Sequence, residues 1–310
     1  MPDIAASVLA RLKNKATQSG RSFQLCLQLF CQEEFLRRLE KSKYADNFVL
    51  KGGLLIYAIT NFESRVTIDI DFLLLKLPNT PQQLKETLDE IINCESENDF
   101  ITFELKSVEP ITVTKKYTGV SASITARIKN TRIQLKIDIG VGDIIIPRKQ
   151  KQKVPTQLED FTAPNINAYS IETTIAEKLD AILTLMEFSS RMKDYYDIYY
   201  LANHFNFEGN ILVKALKNTF KNRNHSFTNE HFEQIMSFYT NEAMQKKWKA
   251  FSKKVKIEVD NFKTVIDTIR AFLEQPYTAV MQNKQYKTHW VASEQTWKTP
   301  PGLKGIGEDS

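Results

Sequence analysis

Asp69 and Asp71 stand two residues apart in the run Thr67-Ile-Asp-Ile-Asp-Phe-Leu-Leu74, whose branched and aromatic residues read as a strand. Strand side chains alternate, so both carboxylates face one side while Ile68, Ile70 and Phe72 face the other. Two carboxylates this close repel each other and resist desolvation, an arrangement that a divalent cation between them resolves. The same dipeptide pattern also describes an edge strand with two solvated acids. What tips the balance lies just upstream, where Gly52-Gly53 joins a strand-like run (Phe48 to Leu50) to a helix-like one (Leu54 to Thr60). Glycines at a strand-to-helix turn let backbone N–H groups approach a phosphate, and a helix N-terminus favours its charge. A phosphate cradle followed by a metal-binding acid pair is the equipment of phosphoryl or nucleotidyl transfer. Lys51, directly before the glycines, reads either as a phosphate contact or as a solvated turn lysine.

Three further places carry charge where apolar residues dominate. Asp138 sits between Ile137 and Ile139 in the β-run Arg132 to Val141, and an acid in such surroundings needs a partner. In the helix opening at Ile171 behind Ser170, the residues Ile171, Ile175, Leu179, Ile182 and Met186 form one stripe. Lys178 falls at its border, whereas Glu177 and Asp180 point away. Such a lysine either snorkels or holds its ammonium over a phosphate. In the next helix Asp194 lies on the inward face with Tyr195, Ile198 and Leu201, and Asp197 lies at that face's edge. Asp194 therefore needs a cation: Arg191, Lys178 or a metal. A simple Arg191–Asp194 pair at i, i+3 is the structural alternative.

The order Gly-Gly, D-x-D, then a later hydrophobic-Asp-hydrophobic strand resembles the polymerase-β-like nucleotidyltransferase superfamily. The longer series KGGLLIY, R-x-T-x-DIDF, LKIDIGVGD, ETTIAEKLDAIL and SRMKDYYDIYYL resembles the AbiEii/AbiGii-type toxins of bacterial abortive-infection and toxin–antitoxin systems, over roughly residues 25–275. The resemblance implies an α+β fold, a polymerase-β-like mixed-sheet domain packed against a C-terminal helical bundle, with the active site in the cleft between them. It implies that Gly52 and Gly53, with Lys51, hold the triphosphate of an NTP and that Arg65 and Thr67 line the loop before the acids. Asp69 and Asp71 would bind Mg2+, with Asp138 as a third ligand on the wider superfamily's pattern. Lys178 would contact phosphates, and Arg191, Asp194 and Asp197 would close the site. It further implies an RNA acceptor, the 3′ end of tRNA foremost, and a cognate antitoxin encoded nearby. Many members carry a hydroxyl residue at the glycine turn; here Leu54 and Leu55 follow, so any such role passes to Thr67 or disappears.

These residues need elements to position them, and 310 residues suffice for two cores. The expected division is a nucleotidyltransferase domain with N-terminal helices over 1–165, a helical bundle over 166–300, and a mobile tail over 301–310. Helical periodicity covers 4–43 with a break at Gly20, and 82–98. Strands are expected at 100–105, 108–114, 121–128 and 132–141, with a turn at Tyr117-Thr118-Gly119. The segment Arg148 to Lys153, with Pro155 and Pro164 beyond, reads as the linker. Nearly everything from Ser170 reads as helix, the last at 258–274, and from Pro276 as polar tail. A lysine-rich helix carries Lys246, Lys247, Lys249, Lys253, Lys254 and Lys256 opposite Trp248, Phe251 and Val255; it is either a solvated face or a phosphate-backbone footprint.

The net charge of +5 is mild, so a nucleic-acid footprint must be local. Three cysteines without C-x-x-C read as reduced thiols, and four scattered histidines do not suggest zinc. No apolar run reaches membrane-span length, which gives a cytoplasmic expectation. Two other activities fit the same residues. One is transfer of NMP or a γ-phosphoryl group to a protein hydroxyl; the other is a nucleotide-binding module without catalysis.

Overall fold

A computed structural model of the chain describes residues 3–111, 119–188, 190–255 and 260–299. The turn residues Tyr117 and Thr118, Lys256 of the lysine-rich helix and the tail 301–310 lie outside the described residues. The chain forms two units, Met1–Asp143 with Lys149–Tyr169, and Ile144–Arg148 with Ser170–Ser310.

The first unit opens with α1 (Ile4–Ser19) and α2 (Phe23–Lys41). Asp3 and Ser22 cap their first turns, and Gly20, in the left-handed region at φ 67°, ends α1. Then follow β1 (Phe48–Lys51), α3 (Gly52–Ile59), β2 (Asp69–Leu74) and α4 (Pro81–Ile92), the last started by Thr80 as cap and Pro81 behind it. The sheet is completed by β3 (Ile101–Pro110), β4 (Val120–Ile128), β5 (Thr131–Gly140), β6 (Gln150–Lys153) and β7 (Asn165–Ala168). The order is β3-β4-β5-β2-β1-β7-β6, parallel at β5–β2 and β1–β7 and antiparallel elsewhere. This is the mixed sheet of the expected α+β class.

One sheet face is apolar. Phe48, Leu50, Ile70, Phe72, Ile137 and Ile139 are all buried on it, and Phe35 of α2 brings its ring centroid to 6.4 Å from that of Phe72. Burying each such side chain is worth about 1.5–3 kcal/mol, so this layer fixes the strand register. The opposite face carries the polar side chains of Lys51, Asp71 and Asp138 beside the buried Val49 and Leu73.

Three expectations change here. Ile68 is not part of the buried set; it precedes β2, is 53 % exposed, and its carbonyl accepts hydrogen bonds from Gln28 and Gln32. Within the described residues the strands expected at 100–105 and 108–114 form a single β3 with a register shift between Leu105 and Ser107, and 112–114 lie outside those residues. The supposed linker contributes β6, an edge strand whose exposed lysines suit an unpaired margin.

The second unit is helical: α5 (Ile171–Leu185), α6 (Met192–His204), α7 (Gly209–Asn222), α8 (Asn229–Met236), α9 (Glu242–Val255) and α10 (Phe262–Met281). A small sheet joins β8 (Phe207–Glu208), β9 (His289–Val291) and β10 (Thr296–Lys298). As far as Lys298, the expected polar tail after Pro276 instead forms the end of α10 and two strands of this small sheet. Pro276 lies inside α10, and Trp290 is fully buried with Nε1 donating to the Ala202 carbonyl at 2.7 Å.

Candidate active site

The register of the first unit's sheet lines up the chemistry. Lys51 of β1 stands opposite Asp71 of β2, Asp71 opposite Asp138 of β5, and Asp138 opposite Ser121 of β4. Laterally paired residues share a face, so these four form a row across four strands. One step along, Asp69 stands opposite Lys136. The polar face thus gathers three carboxylates and two ammonium groups over an apolar layer, which is why the flanking isoleucines of Asp138 are buried while Asp138 itself is half-exposed.

The glycine turn is built against this row. Gly52 has φ +69°, and a Cβ there would fall 2.1 Å from Oδ2 of Asp71. A Cβ on Gly53 would fall 2.9 Å from Oγ1 of Thr67. Both glycines are therefore close-approach residues: the start of α3 and the acid pair could not be neighbours with any side chain at 52. Thr67 thereby lies against the turn. Arg65, on the same loop, is buried.

Lys51 is neither solvated nor simply extended toward the turn. Its Nζ donates to Oδ2 of Asp143 at 2.9 Å and to the Tyr169 hydroxyl at 3.3 Å, and it lies 5.0 Å from the Tyr169 ring centroid. Asp143 and Tyr169 were not anticipated as its partners; the only sequence signal was the Gly-Val-Gly-Asp143 close of the Asp138 segment.

Among the described residues, no group of three or more His, Cys, Asp or Glu side chains is arranged to hold a metal ion. The donor chemistry nevertheless fits a divalent cation. Asp69 and Asp71 are two hard oxygen donors on one face, and the missing Cβ at Gly52 leaves the Asp71 carboxylate close under a helix N-terminus. The Asp138 carboxylate meets two neighbouring side chains of the sheet. Asp138 accepts from Ser121 Oγ on Oδ1 at 2.6 Å and from Lys136 Nζ on Oδ2 at 2.7 Å. The partner that its apolar setting demanded is thus a serine and a lysine, not a preformed metal triad. Lys136, missed in the sequence, carries a raised pKa because of its hydrogen bond to Asp138, and the charges of Asp69 and Asp71 push the same way.

In the second unit the anticipated basic and acidic residues of α5 and α6 do meet. Lys178 Nζ donates to Oδ1 of Asp194 at 3.1 Å and to Oδ2 of Asp197 at 2.5 Å. Arg191 Nε donates to Oδ2 of Asp194 at 2.5 Å. Asp194 has both of its candidate protein cations. Burial would raise its carboxyl, but Lys178 and Arg191 outweigh that and hold it at about 2. Two placements differ from the helical-wheel reading. Asp197 is fully buried rather than at an edge, and Asp180, expected to point away, is also buried. Arg223 and His225 meet Asp180 at 2.9 Å and 2.7 Å, so a second packed face of α5 had been overlooked. On α9, Lys246, Lys249, Lys253 and Lys254 are exposed, while Lys247 donates to the Glu187 carbonyl at 2.7 Å.

A glycine turn beside a paired-acid strand is the kind of equipment that phosphoryl and nucleotidyl transfer use. Residues 34–275 match the family described as "Nucleotidyl transferase AbiEii toxin, Type IV TA system", and the chain belongs to that family. It is thus a transferase of the toxin–antitoxin class, as the resemblance implied. A crystal structure of a proposed nucleotidyltransferase from H. pylori is 14 % identical with a TM-score of 0.46, over 83 % of this chain and 98 % of that one. The structure of JHP933 from Helicobacter pylori is 15 % identical with a TM-score of 0.45, over 82 % and 94 %. No curated protein matches the chain. Among the described residues no helix is long and apolar enough to cross a membrane.

Proposed function

We propose that the protein transfers NMP from an NTP to an acceptor hydroxyl in a Mg2+-dependent reaction, with the 3′ end of tRNA as acceptor, and that it acts as a cytoplasmic toxin held in check by a cognate antitoxin. The observation that carries this reading is the fit of Gly52 onto Asp71, which joins a phosphate-binding turn to a metal-binding carboxylate within one hydrogen-bonded strand pair.

In this reading Asp69 and Asp71 hold the metal, which when bound supplies charge neutralisation on the triphosphate and Lewis-acid polarisation. Backbone N–H groups at Gly52 and Gly53 receive phosphate oxygens, helped by the N-terminus of α3. Thr67 supplies the hydroxyl that Leu54 and Leu55 cannot, and Arg65 steadies the loop carrying it. Lys51, fixed by Asp143, keeps β1 and the turn in register. Within the helical unit, Lys178 and Arg191 are the phosphate-binding candidates, Arg by its planar fork, and Asp194 and Asp197 orient them. The exposed lysines of α9 supply the salt-sensitive attraction that an RNA backbone requires.

The test is incubation of the protein with total RNA and each NTP, labelled at the α or the γ position, with Mg2+ or with a chelator. Chelator-sensitive α-label on a tRNA-sized species is the expected result. γ-Label on a product would replace the reading with a kinase, and α-label on protein with a protein-modifying transferase. Absence of pyrophosphate release under every condition would leave only a binding module.

A further inference from the structure

Between α9 and the start of α10 the second unit opens a groove of about 530 Å3. Its wall is aromatic. Trp248 and Phe262 stack with ring centroids 5.2 Å apart, and each is 4 % exposed. Tyr239 is the ring of the lining that stays half-buried, so it presents aromatic surface to whatever enters. Two amides border the same space. Gln245 donates from Nε2 to the Tyr239 carbonyl at 2.6 Å, which leaves its Oε1 as an acceptor. Asn261 accepts from the Thr264 N–H on Oδ1 at 3.0 Å, which leaves its Nδ2 as a donor.

Charge decides the class of ligand. Lys249 lines the groove, and Lys246 and Lys253 stand about one helical turn before and after it on α9. All three are exposed, and among the described residues none is paired with a carboxylate. Asp260, the acid of the lining, accepts from the Tyr199 hydroxyl. Lys263 is paired with Asp267 and keeps its ammonium 5.4 Å from the Tyr239 ring centroid. A surface pair of that kind is weak and yields the ring to a better partner.

We propose that this groove takes an unpaired nucleobase of a single-stranded RNA, stacked on Tyr239, while the lysines of α9 follow the flanking phosphates. The inference rests on the reading of the acceptor as RNA and adds that the bound stretch is single-stranded. A lysine face alone attracts any polyanion, duplex or not. A base inside a duplex offers the groove neither its π-face nor its pairing edge; an unstacked base offers both. That edge carries a donor and an acceptor, which the Gln245 and Asn261 amides match in kind.

The experiment is fluorescence anisotropy of the full chain with a labelled single-stranded RNA of about 12 nucleotides, a length within the range of single-strand binders. Chelator is present and NTP is left out. Binding should weaken with salt at a log–log slope of about −2, the value for three lysines on a single strand. Lys249→Gln should reduce that slope by about 0.7. Tyr239→Ala should weaken binding roughly tenfold, and Tyr239→Phe, which keeps the ring, should bind as wild type does. The same RNA annealed to its complement should bind at least about tenfold more weakly. Absence of binding, equal binding of single strand and duplex, or no loss in a folded Tyr239→Ala overturns the proposal. So does displacement of the RNA by poly-glutamate as readily as by unlabelled RNA, which would make an acidic protein segment the occupant. Where α-label reaches a tRNA-sized species despite such a result, the acceptor reading survives and this inference alone falls. α-Label on protein alone removes both.

Discussion

Oδ2 of Asp71 occupies the space that a side chain at residue 52 would need: the two points are 2.1 Å apart. Gly52→Ala must also adopt φ +69°, which costs an L-residue about 1–2 kcal/mol. Relief of the clash moves either the turn or the carboxylate, and an ångström of misplacement costs about 100-fold in rate. Pyrophosphate release by Gly52→Ala should therefore fall about 100-fold. Gly53→Ala meets the rotatable Thr67 hydroxyl and should lose less than about tenfold by the same reasoning.

Asp69→Asn and Asp71→Asn separate chemistry from folding. Each removes a charge from a half-exposed, mutually repelling pair, so thermal midpoints should hold or rise. Transfer should drop on the order of 1,000-fold for either variant, matching several kcal/mol of lost transition-state stabilisation. Near-normal transfer by Asp69→Asn, in the labelled-NTP assay, would refute the assignment.

Lys178→Met takes from Asp194 and Asp197, both fully buried, the ammonium they share, leaving Asp194 with Arg191. Breaking a buried ion pair on one side typically costs about 3–5 kcal/mol. Urea unfolding should report a loss of that size. Lys178→Met with Asp194→Asn should lose less than the sum of the two single variants, because both changes break the same Lys178–Asp194 pair.

Acid stability should carry the signature of Asp194. Its carboxyl is held at about 2 in the folded chain, below the ordinary 3.8, so its contribution is present above about pH 4 and is lost as the pH falls through 2. That window is worth about 2 kcal/mol. Wild type should lose that much more stability across it than Asp194→Asn.

Glu33 has the opposite sign. Burial pushes it up to about 8 against the pull of Arg37, so the folded chain favours its protonated form. Its contribution is complete below the unfolded value of 4.5 and is lost as the pH rises through 8. Glu33→Gln should flatten the decline in melting temperature between those limits.

How much of this was legible in the chain depends on the range of the interaction. Asp69 and Asp71 announce a shared face through spacing alone, and the Gly pair announces a close approach, because both are local rules. Lys136 was invisible as a participant: it reads as one more exposed lysine until parallel pairing sets it opposite Asp69. Asp180 and Asp197 were misplaced because a single apolar stripe was assigned to helices that pack on more than one side. Trp290 was lost in a polar stretch, where three-residue strands leave too short a pattern to recognise. Trp290→Ala should cost about 3–5 kcal/mol in unfolding experiments, the scale for emptying a fully buried aromatic site.

The parallel union of β2 and β5 has a consequence for synthesis. Asp71 emerges from the ribosome long before Asp138, and the hairpin of β3 and β4 must be made in between. Contacts so distant along the chain form late. A nascent fragment ending before β5 carries the glycine turn and the acid pair yet lacks the strand that flanks them. A chain cut short there holds the acid pair without Lys136 or Asp138 alongside it.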